Sequence, residues 1–328
     1  MSGNSRRGHD EFAESSFALK TVDDALALRD HILPSFELAH TVTDPAGLSE
    51  LLTFVVVGAG ATGVELAGQI RELASRYFGR GSSHVAAHSV RVVLVDGAPD
   101  VLPVYGGKLS AYTRKTLVDA GVDVRTGAVV TAVDDRGVTL TEGDAVARIP
   151  ARTVVWSAGV EASPFATTLA LATGCEQDRA GRLSVNDDLT VGGHADVFAI
   201  GDMTSLHKLP GQSPVAMQQG RHVAKMIAGK TPSGTPFRYR DKGSMATIDR
   251  FHAVVAVGPV RLTGFVAWVM WLAVHLMYLV GFRNRYVAVL SWLGSFVGSS
   301  RPHFHITVPE RSAAQPVHRE QVEQAVSV

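Results

Sequence analysis

The chain has 328 residues, which is long enough for two domains. Lysine plus arginine and aspartate plus glutamate each number 31, so the formal net charge is zero and does not favour nucleic acid as a partner. The single cysteine, Cys175, excludes an internal disulfide framework, a thiolate zinc site and a redox-active dithiol. The histidines lack metal-ligand spacing, and we predict no metal site.

Hydrophobic periodicity predicts alternating helices and strands along most of the chain. Short apolar runs of β-branched residues are typical of buried parallel strands, and amphipathic stretches are typical of helices. In chain order the predicted elements are helix 22–40, strand 51–57, helix 61–78, strand 90–95, helix 108–120, short strands over 122–143, strand 153–159, strand 196–202 and helix 214–229. Residues 1–20 are predicted to be loop, 41–50 a linker and 309–328 a polar tail.

Three glycines, Gly58, Gly60 and Gly63, form a G-x-G-x-x-G pattern between a predicted strand and a predicted helix. This context is typical of a dinucleotide-binding βαβ unit, in which amides at the helix N-terminus bind the pyrophosphate. Asp96 ends the next predicted strand, where a carboxylate accepts hydrogen bonds from ribose hydroxyls and repels a 2′-phosphate. The pattern predicts NAD(H), although Asp96 follows later than the usual spacing of about 20 residues. A glycine turn without a ligand is the alternative.

The glycine motif and several other segments, taken in chain order, resemble those of the type II NADH dehydrogenases. These enzymes are single-subunit, non-proton-pumping NADH:quinone oxidoreductases. They are flavoproteins similar to the pyridine nucleotide-disulfide oxidoreductases. The matching segments are HDEF, LKTVDDALALR, VVVGAGATGVELAGQI, TVVWSAGV, DVFAIGDM, VAMQQGRHVAKMI, RYRDKGSMATIDR and LTGFVAWVMWLAVHLMYLVGFRNR. The resemblance covers about 9–300. It implies an α/β fold in which a Rossmann-type NADH-binding domain is inserted in an FAD-binding domain, followed by C-terminal amphipathic, membrane-associated helices.

The resemblance implies a division of the chain into five parts. These are 1–50, a remnant of the FAD domain with a linker helix; 51–157, the NADH-binding domain; 158–235, the returning FAD-domain segment; 236–308, the membrane-anchoring region; and 309–328, the polar tail. The family has an earlier G-x-G-x-x-G unit that holds the FAD pyrophosphate. Before Leu51 this chain has only Gly3, Gly8 and Gly47, so the FAD-binding domain is expected to be incomplete.

Four small or acidic residues match cofactor-binding positions of the family. Asp202, which follows Gly201, matches the acid that hydrogen-bonds the ribityl part of FAD. Ala158 and Gly159 match small residues that let nicotinamide or flavin approach the backbone. From the residues alone, Asp202 could equally belong to an ordinary turn at the end of a strand.

Glu65 and Gln218 are the predicted catalytic residues, because they match residues beside the quinone end of the flavin. From the residues alone, Glu65 has two interpretations: a carboxylate that stabilises the first turn of its helix, or a group that faces a redox centre. The resemblance favours the second. The family's quinone-site pattern also contains Ala-Gln, where this chain has Ser213 and Pro214, so Gln218 alone is retained from that pattern.

The apolar stretch 264–280 has 17 residues interrupted by His275, which is at the lower limit for spanning a bilayer. Helices lying in one leaflet are favoured over a true span or burial against a second subunit of a homodimer. The N-terminus lacks the apolar core of a signal peptide, so we predict a peripheral protein on the cytoplasmic face of the membrane. Its expected partners are membrane lipid and a quinone.

The combined prediction is an FAD-dependent NADH:quinone oxidoreductase with NAD(H) and FAD as cofactors. Hydride passes from NADH to FAD, and electrons then pass to a membrane quinone. The alternative is an NADH-binding, membrane-associated fragment or subunit that cannot hold FAD or turn over alone. A soluble NAD-dependent dehydrogenase is disfavoured by the apolar C-terminal region.

Overall fold

A computed structural model describes residues 12, 14–79, 85–159, 161–279 and 281–297. The described helices are α1 (Val22–Leu38), α2 (Pro45–Leu51), α3 (Ala61–Phe78), α4 (Gly107–Asp119), α5 (Pro164–Thr173), α6 (Ser213–Ile227), α7 (Gly264–Tyr278) and α8 (Phe282–Val297). The described strands are β1 (Phe17–Ala18), β2 (Thr53–Val57), β3 (Arg91–Asp96), β4 (Val122–Thr126), β5 (Ala128–Asp134), β6 (Gly137–Glu142), β7 (Ala145–Pro150), β8 (Thr153–Trp156), β9 (Leu183–Ser184), β10 (Thr190–Val191), β11 (His194–Phe198), β12 (Thr204–Ser205), β13 (Ser244–Asp249), β14 (His252–Val257) and β15 (Val260–Thr263).

A five-stranded parallel sheet with the order β1-β8-β2-β3-β4 forms the centre of the first unit. Every residue of β2 is buried, as its continuous apolar run predicts for a parallel strand covered on both faces. Alternate residues of this strand enter different cores: Phe54 and Val56 pack towards the helices, and Val55 and Val57 pack towards the sheet β5-β6-β7. The unit therefore has three layers, and the predicted α/β class with a parallel sheet is confirmed.

The described region before β2, which was expected to be a remnant of the FAD domain with a linker helix, packs into this unit. Strand β1 pairs with β8, with Phe17 opposite Val155. Helix α1 buries Leu28, Ile32 and Phe36 in the core shared with α3. These side chains remove apolar surface from water only because α1 lies on the parallel sheet, so this segment belongs structurally to the dinucleotide-binding unit.

The predicted linker at 41–50 is wrong, because α2 occupies most of it. Asp44 caps this helix by accepting a hydrogen bond of 2.7 Å from the amide of Gly47. Pro45 follows in the first turn, where its missing N–H has no helical partner to lose. The Asp-Pro pair therefore starts a helix here instead of interrupting the chain.

A second unit over 162–239 surrounds its own apolar core. The strand expected at 196–202 ends earlier, at Phe198, and pairs antiparallel with β10. Strands β9 and β12 form a separate parallel pair of two residues each. Helix α5 had no prediction, and it supplies Ala166 and Ala170 to the core. The described part of this unit therefore has small pieces of sheet rather than a wide parallel sheet.

The C-terminal part is an antiparallel sheet, β13-β14-β15, that lies between α3 and α7. The contact with α3 is close at Gly68, where a Cβ atom would lie 1.7 Å from the main-chain oxygen of Ile248. Helix α7 buries Ala267 and Trp268 against the sheet. Among the described helices, none combines the length and apolar character needed to cross a bilayer. The polar tail at 309–328 lies outside the described residues.

Candidate functional site

The glycine turn between β2 and α3 has the geometry that the sequence pattern predicts. Gly58 has φ +108°, and a Cβ atom there would lie 2.7 Å from the amide nitrogen of Ala158. At Gly63 a Cβ atom would lie 1.7 Å from the main-chain oxygen of Gly58, so a larger residue would displace the helix. Gly60, in contrast, faces open space beyond its own backbone. This opening at the N-terminus of α3 fits the approach of a dinucleotide pyrophosphate.

Asp96 ends β3 beside this turn and binds two main-chain amides. Its Oδ2 accepts a hydrogen bond of 2.5 Å from the amide of Ala59, and its Oδ1 accepts one of 2.7 Å from Ala98. Each carboxylate oxygen has two lone pairs, so ribose hydroxyls can still be bound. The carboxylate therefore both shapes the glycine turn and presents negative charge at the expected ribose position.

A cavity of about 270 Å³ opens at the carboxyl ends of the parallel strands, next to Asp96. Its lining residues are Phe12, Val57, Gly58, Asp96, Gly97, Ala128, Val129, Val130, Trp156 and Ala158. In open parallel sheets this edge is where ligands bind. The mixture of apolar side chains, exposed backbone and one carboxylate suits the adenosine part of a dinucleotide.

Ser157 joins the end of β8 to the glycine turn and was missed by the sequence analysis. Its hydroxyl donates to the main-chain oxygen of Val57 at 2.8 Å, and it lies 3.1 Å from that of Gly58. The predicted residues Ala158 and Gly159 follow directly, and Gly159 has φ +69°. In the sequence, Ser157 could have been identified as a site residue because its hydroxyl group directly follows a buried strand and precedes two small residues.

Glu65 faces the C-terminal sheet from the second turn of α3. The amide of Thr247 donates a hydrogen bond of 3.0 Å to its Oε1. Burial raises the pKa of Glu65, against the opposing effects of the hydrogen bonds from Thr247 and the charge of His275. Burial, and to a smaller extent the negative charge of Glu65, raise the pKa of Tyr105 to about 12. Glu65 is thus a carboxylate that keeps its proton to higher pH than an exposed glutamate does.

A cavity of about 480 Å³, which we name the Glu65 cavity, lies between α3, β13 and the helices α7 and α8. Its lining residues are Glu65, Gln69, Glu72, Leu73, Arg76, Thr247, Asp249, Arg250, Trp268, Trp271, Leu272 and Trp292. One part of the wall is aromatic and another is charged. Several water molecules fit in this volume.

The predicted flavin-binding acid lies at a sharp turn in the second unit. Gly201 has φ +76°, and its amide donates a hydrogen bond of 2.6 Å to Oε1 of Gln219, which is only 1% exposed. Asp202 follows with an exposed carboxylate, which accepts no hydrogen bond from the residues that the structure describes. An acid held at a rigid turn and available to a hydroxyl fits the ribityl chain of a flavin. Gln219 was missed, since adjacent glutamines look alike in sequence.

Gln218 lies on α6, and its hydrogen bonds in the described structure go to Arg240 rather than to Glu65. Its amide nitrogen donates to the main-chain oxygen of Arg240 at 3.0 Å, and its Oε1 accepts from the amide of Arg240 at 3.1 Å. Both ends of the side chain therefore hold the segment before β13. Ser213 and Pro214, which depart from the family pattern, lie in the first turn of α6, where proline is well tolerated.

The comparisons with known proteins agree with this geometry. The profile of the pyridine nucleotide-disulphide oxidoreductase family matches residues 4–220. Type II NADH:quinone oxidoreductase Ndh of Mycobacterium tuberculosis is 45% identical over 93% of this chain and 67% of its own length. The chain belongs to the type II NADH:quinone oxidoreductases. The resemblance inferred from the motifs is thereby confirmed.

Two further comparisons show what share of a related protein's length this chain covers. Type II NADH:quinone oxidoreductase NdhA of M. tuberculosis is 46% identical over 92% of this chain and 66% of its own length. The chain therefore spans about two thirds of the length of these two relatives. The structure of NDH2 from Plasmodium falciparum in complex with NADH covers 92% of this chain and 76% of that chain, with a TM-score of 0.80 and 16% identity. At this identity the match shows the fold alone.

Proposed function

We propose that this chain acts as an FAD-dependent NADH:quinone oxidoreductase, which oxidises NADH and reduces a membrane quinone. The observation that carries the proposal is the open glycine turn beside Asp96 in a chain of this family. NAD(H) and FAD, the cofactors predicted from the sequence, agree with the family. The chemistry that FAD supplies when bound is a two-electron relay between NADH and the quinone.

The NADH end of the site is built from the glycine turn and the two neighbouring strands. Gly58, Gly60 and Gly63 let the pyrophosphate approach the amides of α3, and Asp96 binds the ribose and excludes a 2′-phosphate. Ala158 and Gly159 leave the backbone accessible at the end of β8. We assign Ala158 and Gly159 the task of admitting the nicotinamide or flavin ring.

The remaining site residues orient the flavin and handle protons. Asp202, held by the turn at Gly201, is assigned to the ribityl hydroxyls of FAD. Glu65 is assigned to proton transfer, because reduction of a quinone consumes protons and burial favours a proton on this carboxylate. Gln218 is assigned a positioning role, since its amide is already bound to Arg240.

In the domain division that we propose, the N-terminal boundary is based on the packing of β1 and α1, and the later boundaries are based on the resemblance to the family. Residues 17–157 form the NADH-binding unit, and 158–235 form the part of the FAD-binding domain that follows it. The region 236–308 anchors the protein to a membrane as a peripheral protein on the cytoplasmic face. Exposed apolar side chains on α7 and α8 support this anchor, and they are Phe265, Val266, Val269, Met277, Tyr278, Phe282, Tyr286, Val287 and Leu290.

A second candidate function is an NADH-binding, membrane-associated subunit that cannot hold FAD alone. The small pieces of sheet in the described part of 158–235 favour it, because a flavin usually lies on a wide parallel sheet. Adding FAD to the purified chain, removing free FAD and recording the visible spectrum separates the two candidates. Near-stoichiometric flavin bands that NADH bleaches, and that a soluble quinone restores, support the oxidoreductase. A colourless protein that still binds NADH supports the subunit.

A further inference from the structure

Reduction of a quinone by NADH takes one proton from water in each turnover, because the hydride supplies two electrons and only one of the two protons of the hydroquinone. This inference rests on the proposed function and concerns how that proton reaches the site. Glu65 is largely buried, and its Oε1 is bound by the amide of Thr247. The Glu65 cavity, which this carboxylate lines, offers a proton a route to it.

Asp249, which lines the same cavity, forms a close pair with His252. The Nδ1 atom of His252 lies 2.5 Å from Oδ1 of Asp249 across the turn between β13 and β14. The His252 side chain is 45% exposed, whereas that of Asp249 is 20% exposed. Asp249 lines the Glu65 cavity, so the pair has one member in contact with water and the other in contact with the cavity.

We propose that the Asp249–His252 pair takes up protons from water and delivers them through the Glu65 cavity to Glu65. His252 receives a proton at Nε2 while its Nδ1 proton moves to Oδ1 of Asp249. Asp249 then gives this proton to a water molecule in the cavity, which passes a proton to the Glu65 carboxylate. Asp249 returns to its ionised form, and the exposed imidazole regains its starting tautomer by releasing the Nε2 proton to water and taking a proton from water at Nδ1. No electrons move in these steps.

Burial favours a proton on two of the three carboxylates that line the cavity, Glu65 and Asp249. Burial raises the pKa of both Glu65 and Asp249, and His252 acts in the opposite direction on Asp249. The other charged or titratable groups that face the cavity or Glu65 are Glu72 and Arg76 from α3, Arg250 from the turn after β13, His275 from α7 and Tyr105 from the turn before α4. Glu72 and Arg76 form an ion pair and largely neutralise each other.

A second pair of the same chemistry provides the control. Nε2 of His207 lies 3.0 Å from Oδ1 of Asp187, and the two side chains are 65% and 64% exposed. This pair does not line the Glu65 cavity. A change in proton delivery to Glu65 that arises from any surface histidine would therefore appear in H207Q as well as in H252Q.

The direct test is time-resolved infrared spectroscopy after a downward pH jump, in which the carbonyl band of protonated Glu65 is identified by its loss in E65Q. We expect D249N and H252Q to slow the appearance of this band about tenfold or more, and H207Q to leave it unchanged. Asn at 249 can still hydrogen-bond His252 but cannot carry a proton. Wild-type rates in both D249N and H252Q, equal slowing in H207Q, or the absence of any Glu65 band would overturn the proposal.

A second readout separates this proposal from the proposed function. In FAD-loaded protein, H252A should slow quinone reduction but leave flavin reduction by NADH at the wild-type rate, and added imidazole should restore quinone reduction. Failure of imidazole to rescue H252A would contradict the role of His252. If wild-type protein reduced no quinone at all, the proposed function would fail, and the infrared rates would still decide whether the pair feeds Glu65.

Discussion

The amide of Thr247 donates a hydrogen bond of 3.0 Å to the carboxylate of Glu65, and this contact joins residues 182 positions apart in the chain. It fixes the C-terminal sheet against the helix that follows the glycine turn. One helical turn later, Gly68 lets the same strand approach α3 closely at Ile248. The dinucleotide helix and the sheet that supports α7 are therefore held as neighbours, with Glu65 at the point of contact.

Replacing Glu65 by glutamine tests the effect of burial on this carboxylate. Because burial raises the pKa of Glu65, the folded protein binds this proton more tightly than the unfolded chain does. The resulting stability is fully present below the unfolded-state pKa and is lost as pH rises through the folded-state pKa. We therefore expect the Tm of E65Q, relative to wild type, to increase as pH rises above 4.5, the ordinary pKa of a glutamate.

The control for this measurement is E142Q, at the exposed end of β6. Thermal unfolding of both variants and wild type across the pH range gives the Tm difference between each variant and wild type at each pH. A Tm difference between E65Q and wild type that is constant with pH, or that follows E142Q, would show that the buried environment of Glu65 does not favour its proton.

The same substitution at two glycines separates the fold of the turn from its binding role. Ala at Gly63 places a Cβ atom against the Gly58 oxygen, so we expect G63A to lose about 2–3 kcal/mol of stability. Ala at Gly60 meets open space, so G60A should unfold like wild type but bind NADH about tenfold more weakly, which is about 1.4 kcal/mol. Urea unfolding and calorimetric titration with NADH provide the measurements. If G60A bound NADH more weakly only to the extent that it lost stability, Gly60 would have no separate role in binding.

The sequence predicted those helices, strands and turns that are determined by the residues within them. The period of the apolar residues placed α3 at 61–78, and the glycines identified the turn at its start because only glycine fits Gly58 and Gly63. The positions that it missed depend on distant partners. Strand β1 has two residues and no measurable periodicity, and its pairing with β8 is a tertiary contact. The roles of Gln218 and Gln219 differ only through what lies beside each one after folding.

Substitution of Asp96 is expected to change both stability and choice of nucleotide. D96A removes the acceptor for two main-chain amides, Ala59 and Ala98, and should cost about 1–3 kcal/mol. D96N keeps an acceptor oxygen but removes the charge that repels a 2′-phosphate, so the ratio of the Kd for NADPH to that for NADH should fall about tenfold. Titration of each variant with both nucleotides measures this ratio. An unchanged ratio in D96N would place nucleotide discrimination elsewhere.

Adjacent glutamines offer a comparison of buried and exposed hydrogen bonds. Q219L removes the buried acceptor of the Gly201 amide, and we expect a loss of about 1–3 kcal/mol in the free energy of unfolding. Q218L breaks two exposed hydrogen bonds to Arg240, which water can replace, so the loss should be below about 1 kcal/mol. Urea unfolding checks both values. A larger loss in Q218L than in Q219L would reverse the roles of the two residues.

Replacing an exposed apolar side chain of α7 or α8 with glutamate should weaken the binding of the protein to lipid. Val266 is 63% exposed and Phe282 is 85% exposed, so neither side chain supports the core. V266E and F282E should each lower sedimentation with anionic vesicles about tenfold or more, because burying one such apolar side chain contributes about 1.5–3 kcal/mol. L171E changes an 84% exposed residue on α5 and is the matched control, with no expected effect. If V266E and F282E instead leave vesicle binding intact and convert a dimer to a monomer in sedimentation velocity, this face contacts a second copy of the chain rather than lipid.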